Sequence, residues 1–318
     1  MRDAAGTAAP LAAAETRRRP ARYATYAWGV LAFTLLVILW GAFVRATGAG
    51  AGCGNHWPLC NGEVLPRAPA LQTVIELGHR LTSGLALLLV VGLLVGAWRG
   101  FPRAHPVRVG AALSAVLIVT EALIGAGLVL FEYVASDAST ARAWWVGGHL
   151  LNTFLLVAAL TLTAWWASGG APPRWRDAGT VGPLLLAALA GVLLLGVSGA
   201  ITALGDTLFP VATLAEGKAL TFSPSAHAFV RLRIWHPALA VAVGALVCSA
   251  AVVAARRPLP HVRVLAAAVI ALWLAQLVLG AVNVYLLAPV PVQLAHLLLS
   301  DLIWIGLVLL TAASVAAS

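Results

Sequence analysis

Eight apolar runs, each roughly as long as a bilayer is thick, divide this chain of 318 residues. A helix rises about 1.5 Å per residue, so about 20 apolar residues cross the hydrocarbon core of a membrane. Leu, Ala, Val and Gly fill the runs without strand-like alternation, which excludes an outer-membrane barrel. The sequence predicts an all-α integral membrane protein with eight transmembrane helices. The runs are residues 24–43, 73–98, 109–130, 145–166, 181–204, 234–254, 264–287 and 292–315.

The net charge of +9 reflects membrane topology rather than a nucleic-acid partner. Loops rich in Lys and Arg remain in the cytoplasm. Most of the 20 basic residues fall on one side of an eight-span arrangement: Arg2, Arg17, Arg18, Arg19, Arg22, Arg99, Arg103, Arg108, Arg174, Arg176, Arg256, Arg257 and Arg263. We therefore expect a multi-pass protein of the cell (inner) membrane with both termini in the cytoplasm. Its surroundings are the lipid bilayer, and no nucleic acid is expected to bind.

The chain contains an internal repeat with an offset near 155 residues. The matching segments are 41–44 with 199–202, 105–109 with 261–264, and 121–125 with 276–280. Four spans lie on each side of a short loop, which predicts two pseudo-symmetric four-helix bundles related by an axis along the membrane normal. The predicted parts are a cytoplasmic tail (1–23), an N-terminal bundle (24–167), a cytoplasmic linker (168–180) and a C-terminal bundle (181–318).

Four of the eight histidines lie inside apolar runs, all in even-numbered spans and near the outer end of each span. The repeat superposes His79 on His236 and His149 on His296. Two imidazoles that face each other across a bundle are the usual axial ligands of haem iron. A single membrane histidine is more often a packing residue or lines a watery cavity. Four histidines matched by depth and by repeat favour haem ligation.

The two halves differ beside the first histidine of each pair. Glu76 precedes His79 by three residues and shares its helix face, whereas the second half has Arg233 at this position. A carboxylate inside the membrane indicates function, although pairing with Arg80 is the structural alternative. Arg233 suits a haem propionate, with a solvated interfacial charge as its alternative.

Three further polar residues lie within the spans. Asn152 follows His149 by three residues and is expected to line the first site. Glu121 serves either proton movement or helix packing. Asp301 falls on a different face from His296 and is expected to pair with another helix.

Cys53 and Cys60 lie in the first outer loop, where an oxidising compartment favours a disulfide. Such a bond is either a redox-active pair or a staple that holds the loop, and the short loop favours the staple. Cys248 lies within the sixth span and is expected to be an inert apolar residue.

Several motifs together resemble one protein family. The chain reads Gly41-Ala-Phe-Val-Arg-Ala-Thr-Gly48, then Cys53-Gly-Asn-His-Trp-Pro-Leu-Cys60, then Glu76-Leu-Gly-His-Arg80. This pattern resembles haem A synthase, in the bacterial form with a cysteine pair in the first outer loop. The resemblance continues through His149-Leu-Leu-Asn152, Leu232-Arg-Ile-Trp-His-Pro237 and His296-Leu-Leu-Leu-Ser-Asp301, and so covers about residues 24–315.

The resemblance implies oxidation of the C8 methyl group of haem O, through an alcohol, to the formyl group of haem A for cytochrome oxidase. It implies that His79 and His149 bind the substrate haem, and that His236 and His296 ligate a haem b cofactor. It also implies a catalytic role for Glu76, and leaves Arg80, Asn152 and Arg233 as propionate-binding or site-lining candidates. The expected partners are a haem O synthase and a membrane or soluble electron acceptor, and self-association is left open.

Two other functions are compatible with the same residues. A haem-binding electron-transfer protein would use the four histidines without chemistry at Glu76. A transporter is also compatible with the sequence, because many transporters are built from two repeats of the same orientation.

Overall fold

The computed structural model describes residues 8–316, with side chains from residue 21 onward. All α-helices of this part are numbered here in chain order. They are α1 (Ala8–Ala46), α2 (Leu71–Gly100), α3 (Pro106–Leu130), α4 (Thr140–Ala167), α5 (Val181–Leu208), α6 (Leu214–Thr221), α7 (Ala228–Leu232), α8 (Trp235–Ala255), α9 (Pro260–Tyr285) and α10 (Val290–Val315). Short 3-10 helices at Ala49–Ala51 and Trp175–Asp177 complete the set.

Eight segments are long and apolar enough to cross a membrane. They are Ala21–Ala46, Leu71–Gly100, Pro106–Leu130, Thr140–Ala167, Val181–Leu208, Ala228–Ala255, Pro260–Tyr285 and Val290–Val315. The predicted fold class of eight helical spans is therefore confirmed. The sixth span consists of α7 and α8, which are separated at Arg233 and Ile234.

Helix ends extend beyond the apolar runs because local polar groups cap them. Ser139 Oγ accepts the backbone N–H of Arg142 at 3.2 Å, so α4 begins five residues before its apolar run. His105 Nδ1 accepts the backbone N–H of Val107 at 3.3 Å and starts α3. Partial burial lowers the pKa of His105, which keeps the imidazole neutral and able to accept this bond. α1 begins at Ala8, within the predicted tail, where alanines favour a helix.

The α4 and α10 helices lie at the centre of the molecule. In their most apolar stretches 61% of residues are buried, against 17–33% in the other six spans, whose remaining surface is available to lipid. Trp304 on α10 donates its indole N–H to the backbone carbonyl of Phe154 on α4 at 2.7 Å, and the two rings stack with centroids 5.4 Å apart. One apolar core includes residues from both halves of the repeat. The halves are therefore joined by a buried seam.

Contacts between loops show which loops lie on the same face of the molecule. On one face, the linker is bound to the end of α10, where Arg174 N–H donates to Val315 O at 2.6 Å, and Arg257 binds the carbonyl of Ala178 at 2.6 Å. On the opposite face, Asn55 of the first outer loop donates to Glu132 at 3.2 Å. The linker, the α8–α9 turn and the end of α10 thus share one face, as an eight-span topology requires.

Candidate functional site

The four membrane histidines lie near the ends of their spans, on the side of the molecule that has the disulfide-bonded loop. His79, His149 and His296 fall within the first three turns of α2, α4 and α10. His236 is the second residue of α8, but α7 precedes it and gives it a similar depth within the sixth span. His79 lies within electrostatic range of His149, and His236 lies within range of His296. The fold thus brings the histidines together in the two predicted pairs.

Each imidazole packs against a glycine on a neighbouring helix, and this contact explains part of the repeat. A side chain at these glycines would meet the ring, because an added Cβ would lie within 4 Å of its Cε1 atom. The pairs are Gly41 with His79 (2.8 Å), Gly125 with His149 (3.8 Å), Gly199 with His236 (2.9 Å) and Gly280 with His296 (3.1 Å). From the sequence, helix packing explains the small residues around Gly125. The structure shows that these glycines also make room for the histidines.

The ring nitrogens differ in their partners. His236 Nδ1 lies 3.0 Å from Ser198 Oγ on α5. His149 Nδ1 lies 3.2 Å from Glu121 Oε1 on α3, without the alignment of a regular hydrogen bond. The Nδ1 atoms of His79 and His296 are buried and have no hydrogen-bond partner among the described residues. A partner at Nδ1 leaves Nε2 free for a ligand.

Glu121 is the functional candidate that sequence reasoning left undecided. Besides its contact with His149, its carboxylate accepts the Asn152 amide at 2.6 Å and the Thr153 hydroxyl. Asn152 therefore supports Glu121, and through it His149. The i, i+3 spacing of His149 and Asn152 predicted that both residues lie near the first site. No pattern in the sequence predicted that Glu121, on another helix, connects them.

The equivalent residue in the second half is an amide, and it lies at the other ring nitrogen of its histidine. Gln276 Nε2 lies 3.3 Å from His296 Nε2 and donates to the backbone carbonyl of His296 at 3.0 Å. Glu121 and Gln276 are equivalent in the repeat. The two histidine pairs therefore have similar placement and different polar surroundings.

Glu76 is buried, at 3% exposure, and both of its oxygens are occupied. Its Oε2 accepts the backbone N–H of Cys53 at 2.8 Å, and its Oε1 accepts Arg80 Nε at 3.1 Å. Arg80 in turn donates to the carbonyls of His56 and Leu59 at 2.7 and 2.6 Å. Glu76 and Arg80 thus form the ion pair that the sequence offered as a structural explanation for this carboxylate. The pair anchors the first outer loop to α2, one turn from His79.

Cys53 and Cys60 form the predicted disulfide, and both residues are fully buried. The Cys60 backbone N–H also donates to the carbonyl of Glu63 at 2.8 Å. The bond closes a short loop whose backbone is held by Glu76 and Arg80. Cys248 is a free cysteine on α8, as the sequence indicated.

Arg233, a propionate candidate, lies between α7 and α8 and is bound to the end of α5. Its Nε atom forms an ion pair with Asp206 at 2.7 Å, and its Nη2 donates to the carbonyls of Gly205 and Phe209 at 2.8 and 2.9 Å. A propionate at Arg233 would share the guanidinium with Asp206. Sequence reasoning did not assign a role to Asp206, since only the fold brings α5 against this arginine.

Asp301 is fully buried on α10, and neither carboxylate oxygen has a hydrogen-bond partner within the described part of the chain. The expected pairing with another helix is therefore wrong for these residues. Trp304, three residues on, faces α4, which places Asp301 near the seam between the halves.

The arrangement of nitrogen ligands fits a haem better than a bare metal ion. Among residues 8–316 no group of three or more His, Cys, Asp or Glu side chains could hold a metal ion. A haem needs only two axial ligands, because the porphyrin supplies the other four. Each pair supplies two imidazoles, and each histidine is only half-buried, so protein leaves part of each ring uncovered.

Comparison with known protein families gives a match over most of the chain. The COX15-CtaA family, described as cytochrome oxidase assembly protein, matches residues 24–308. The chain belongs to this family. The family match covers both histidine pairs, the cysteine loop and Glu76, and it confirms the resemblance inferred from the motifs.

Individual relatives of this family member have two different names. A protoheme IX farnesyltransferase from one strain of Thermus thermophilus is 53% identical over 290 residues, which are 91% of this chain and 48% of the relative. The protein of the same name from a second strain of this organism is 52% identical over the same shares. A heme A synthase of Bacillus cereus is 46% identical over 97 residues, 30% of this chain and 31% of the relative. The chain thus spans about half the length of its Thermus relatives.

Proposed function

We propose that this membrane protein is a haem A synthase, which oxidises the C8 methyl group of haem O to the formyl group of haem A for cytochrome oxidase. The observation that carries the proposal is the set of two histidine pairs, each ring packed on a glycine of a neighbouring helix. Membership in a cytochrome oxidase assembly family supports the same function.

The two names among the relatives describe enzymes that catalyse consecutive reactions on haem. Transfer of a farnesyl group to protohaem yields haem O, and a haem A synthase then oxidises haem O. The farnesyltransferase name belongs to proteins about twice as long as the aligned segment, so the segment shared with this chain need not carry that activity. This relationship also supports a haem O synthase as the partner that supplies the substrate.

Farnesyl transfer by this chain itself is the second candidate, and its support is the name of the Thermus relatives. The segment that aligns with this chain is only 48% of the first Thermus relative. The two histidine pairs, in contrast, lie within this chain and within the cytochrome oxidase assembly family match. The oxidation is therefore the better-supported function.

In the proposed mechanism His79 and His149 hold the substrate haem, and His236 and His296 hold haem b. When bound, haem b supplies one-electron redox chemistry at its iron. Gly41, Gly199 and Gly280 leave the space that three of these imidazoles occupy.

Glu76 has the proposed catalytic role beside the first pair. A buried carboxylate stabilises positive charge that develops at the methyl carbon during oxidation. Arg80 and the Cys53 N–H hold this carboxylate in place, and the disulfide-bonded loop covers it from outside. In this proposal water supplies the oxygen atom, and the change from methyl to formyl releases four protons and four electrons. The electrons leave to a membrane or soluble acceptor.

The test is co-expression of the chain with a source of haem O, followed by chromatography of the extracted haems. We expect haem A in cells with the wild-type protein and none in cells with His79→Ala, which lacks a substrate ligand. The His236→Ala variant should also lose the b-type absorption of the purified protein. Haem O that stays unchanged, with a normal b-type spectrum, would favour an electron-transfer protein. Production of haem O from protohaem by the chain alone would favour the transferase.

A further inference from the structure

A polar network lies behind His149, apart from the groups that the proposed mechanism uses. Glu121 lies on α3 within the membrane, where a carboxylate is costly unless several donors surround it. The network supplies two donors from α4, the Asn152 amide at 2.6 Å and the Thr153 hydroxyl, and His149 Nδ1 lies 3.2 Å from the same carboxylate. Such a set of donors is built to hold an acceptor beside the imidazole.

The orientation of the Asn152 amide is fixed independently of Glu121. Its Nδ2 also donates to the carbonyl of Leu117 at 2.9 Å, and its Oδ1 accepts the hydroxyl of Thr120 at 2.7 Å. Both contacts require the NH₂ group to be on the side that faces Glu121. The carboxylate is therefore held by a pre-oriented donor.

The second half of the molecule lacks this network although it shares the fold. The repeat places Gln276 at the position of Glu121, Ala275 at that of Thr120, and Leu299 at that of Asn152. The histidine and glycine of the site are nevertheless kept in both halves, as His296 and Gly280. Packing of this four-helix bundle thus does not require the carboxylate, so a purely structural role does not explain it.

We infer that Glu121 is a positioning residue that accepts the Nδ1–H of His149 and makes this imidazole a stronger donor to the iron of the haem in the N-terminal half. The inference rests on the proposed function, since it takes His149 as an axial ligand. A carboxylate behind a ligating histidine fixes its tautomer and ring orientation and raises its basicity. A more basic axial ligand favours ferric over ferrous iron and lowers the reduction potential. The second pair has no carboxylate at this position, and the Nδ1 atom of His296 has no hydrogen-bond partner among the described residues.

The test measures the reduction potential of haem O bound to the full-length protein in a His236→Ala background, where only the N-terminal pair is complete. Hydrogen-bond partners of metal-binding histidines typically change metal affinity about 10–100-fold. We expect Glu121→Gln to lower the preference for ferric iron by at least about 10-fold, which raises the potential by about 59 mV. Glu121→Asp keeps the carboxylate and should restore part of the difference.

Folding of the Gln variant is expected because the second half has glutamine at this position, and a retained low-spin spectrum checks it. Gln276→Glu in the same background is the matched control and should leave the potential unchanged. An unchanged potential in Glu121→Gln, with haem O bound, would overturn the inference and leave the proposed function intact. Failure of the His236→Ala protein to bind haem O would overturn both, because His79 and His149 would not be ligands.

Discussion

Among the individual side chains, the two carboxylates near the first histidine pair have separate surroundings. Glu76 is held by Arg80 and the Cys53 backbone, on the side of the outer loop. Glu121 is held by Asn152 and Thr153, on the side of His149. These contacts are compatible with the two proposed roles, in which Glu76 anchors the loop and takes part in the chemical step and Glu121 supports a haem ligand.

Replacement of Glu76 by glutamine tests the chemical role. Glutamine keeps the size of the side chain and can still accept the Cys53 N–H, but it removes the negative charge. We expect haem b content to stay normal while haem A formation falls by about 10²–10³-fold, the usual cost of removing one group that stabilises charge in the transition state. Chromatography of extracted haems gives the yield, and the b-type spectrum gives the cofactor content.

Arg80→Gln is the control for the anchoring role of Glu76, since it breaks the same ion pair and keeps the carboxylate. If Arg80→Gln lowered haem A formation as much as Glu76→Gln, the carboxylate would act only by holding the loop. Wild-type yield from Glu76→Gln would remove it from the mechanism.

Between helices, the repeat places a glycine opposite every histidine of the two pairs. Along α5, Gly199 follows Ser198, whose hydroxyl contacts His236 Nδ1 at 3.0 Å. Two neighbouring residues of one helix thus lie against the His236 imidazole. Replacement of Ser198 or Gly199 therefore changes the surroundings of the His236 imidazole while the imidazole itself stays the same.

The change Gly199→Ala should reduce haem b binding by about 10-fold, the lower end of the effect of a displaced metal ligand. An added Cβ would lie 2.9 Å from His236 Cε1, so the ring must move. The ratio of haem b to protein in the purified sample measures the effect. Gly84→Ala on α2 is the matched control, because no heavy atom lies within 4 Å of its added Cβ. Full haem b content in Gly199→Ala would show that the glycine contact does not set the ligand position.

At the scale of the whole molecule, Arg45 joins the two halves of the repeat near the disulfide-bonded loop. Arg45, in the last turn of α1, donates to the Ala203 carbonyl at 2.8 Å and to Thr207 Oγ1 at 2.7 Å, both on α5. Its second amino group donates to Gln293 Oε1 on α10 at 3.0 Å. The seam between the bundles is therefore apolar along α4 and α10 and polar at this end.

Loss of this contact should lower the stability of the whole protein. Hydrogen bonds to a charged group contribute about 1.5–3 kcal/mol each, and Arg45→Leu removes three and leaves partly buried acceptors unpaired. We expect the free energy of unfolding to fall by at least about 2 kcal/mol, seen as a lower midpoint of thermal unfolding in detergent. Arg176→Leu, at an exposed site in the linker, should change it by less than about 0.5 kcal/mol. Equal midpoints for the two variants would mean that Arg45 does not join the halves.

Features that depend on run length, charge and periodicity could be predicted from the amino-acid sequence alone. Apolar runs set the eight spans, because a helix must satisfy its backbone within the membrane. The repeat matched His79 with His236 and His149 with His296, and the outer location of Cys53 and Cys60 predicted their bond. Each of these follows from spacing along one chain.

Contacts between side chains of different helices became known only from the folded structure. The contact of Glu121 with His149, and that of Asp206 with Arg233, depend on how far each helix is rotated about its axis, which weakly amphipathic spans do not specify. The burial of Asp301 without a partner in the described chain is likewise a property of the seam. In a chain that is apolar on nearly all helix faces, contacts between neighbouring helices, rather than the hydrophobic pattern, fix the geometry of the site.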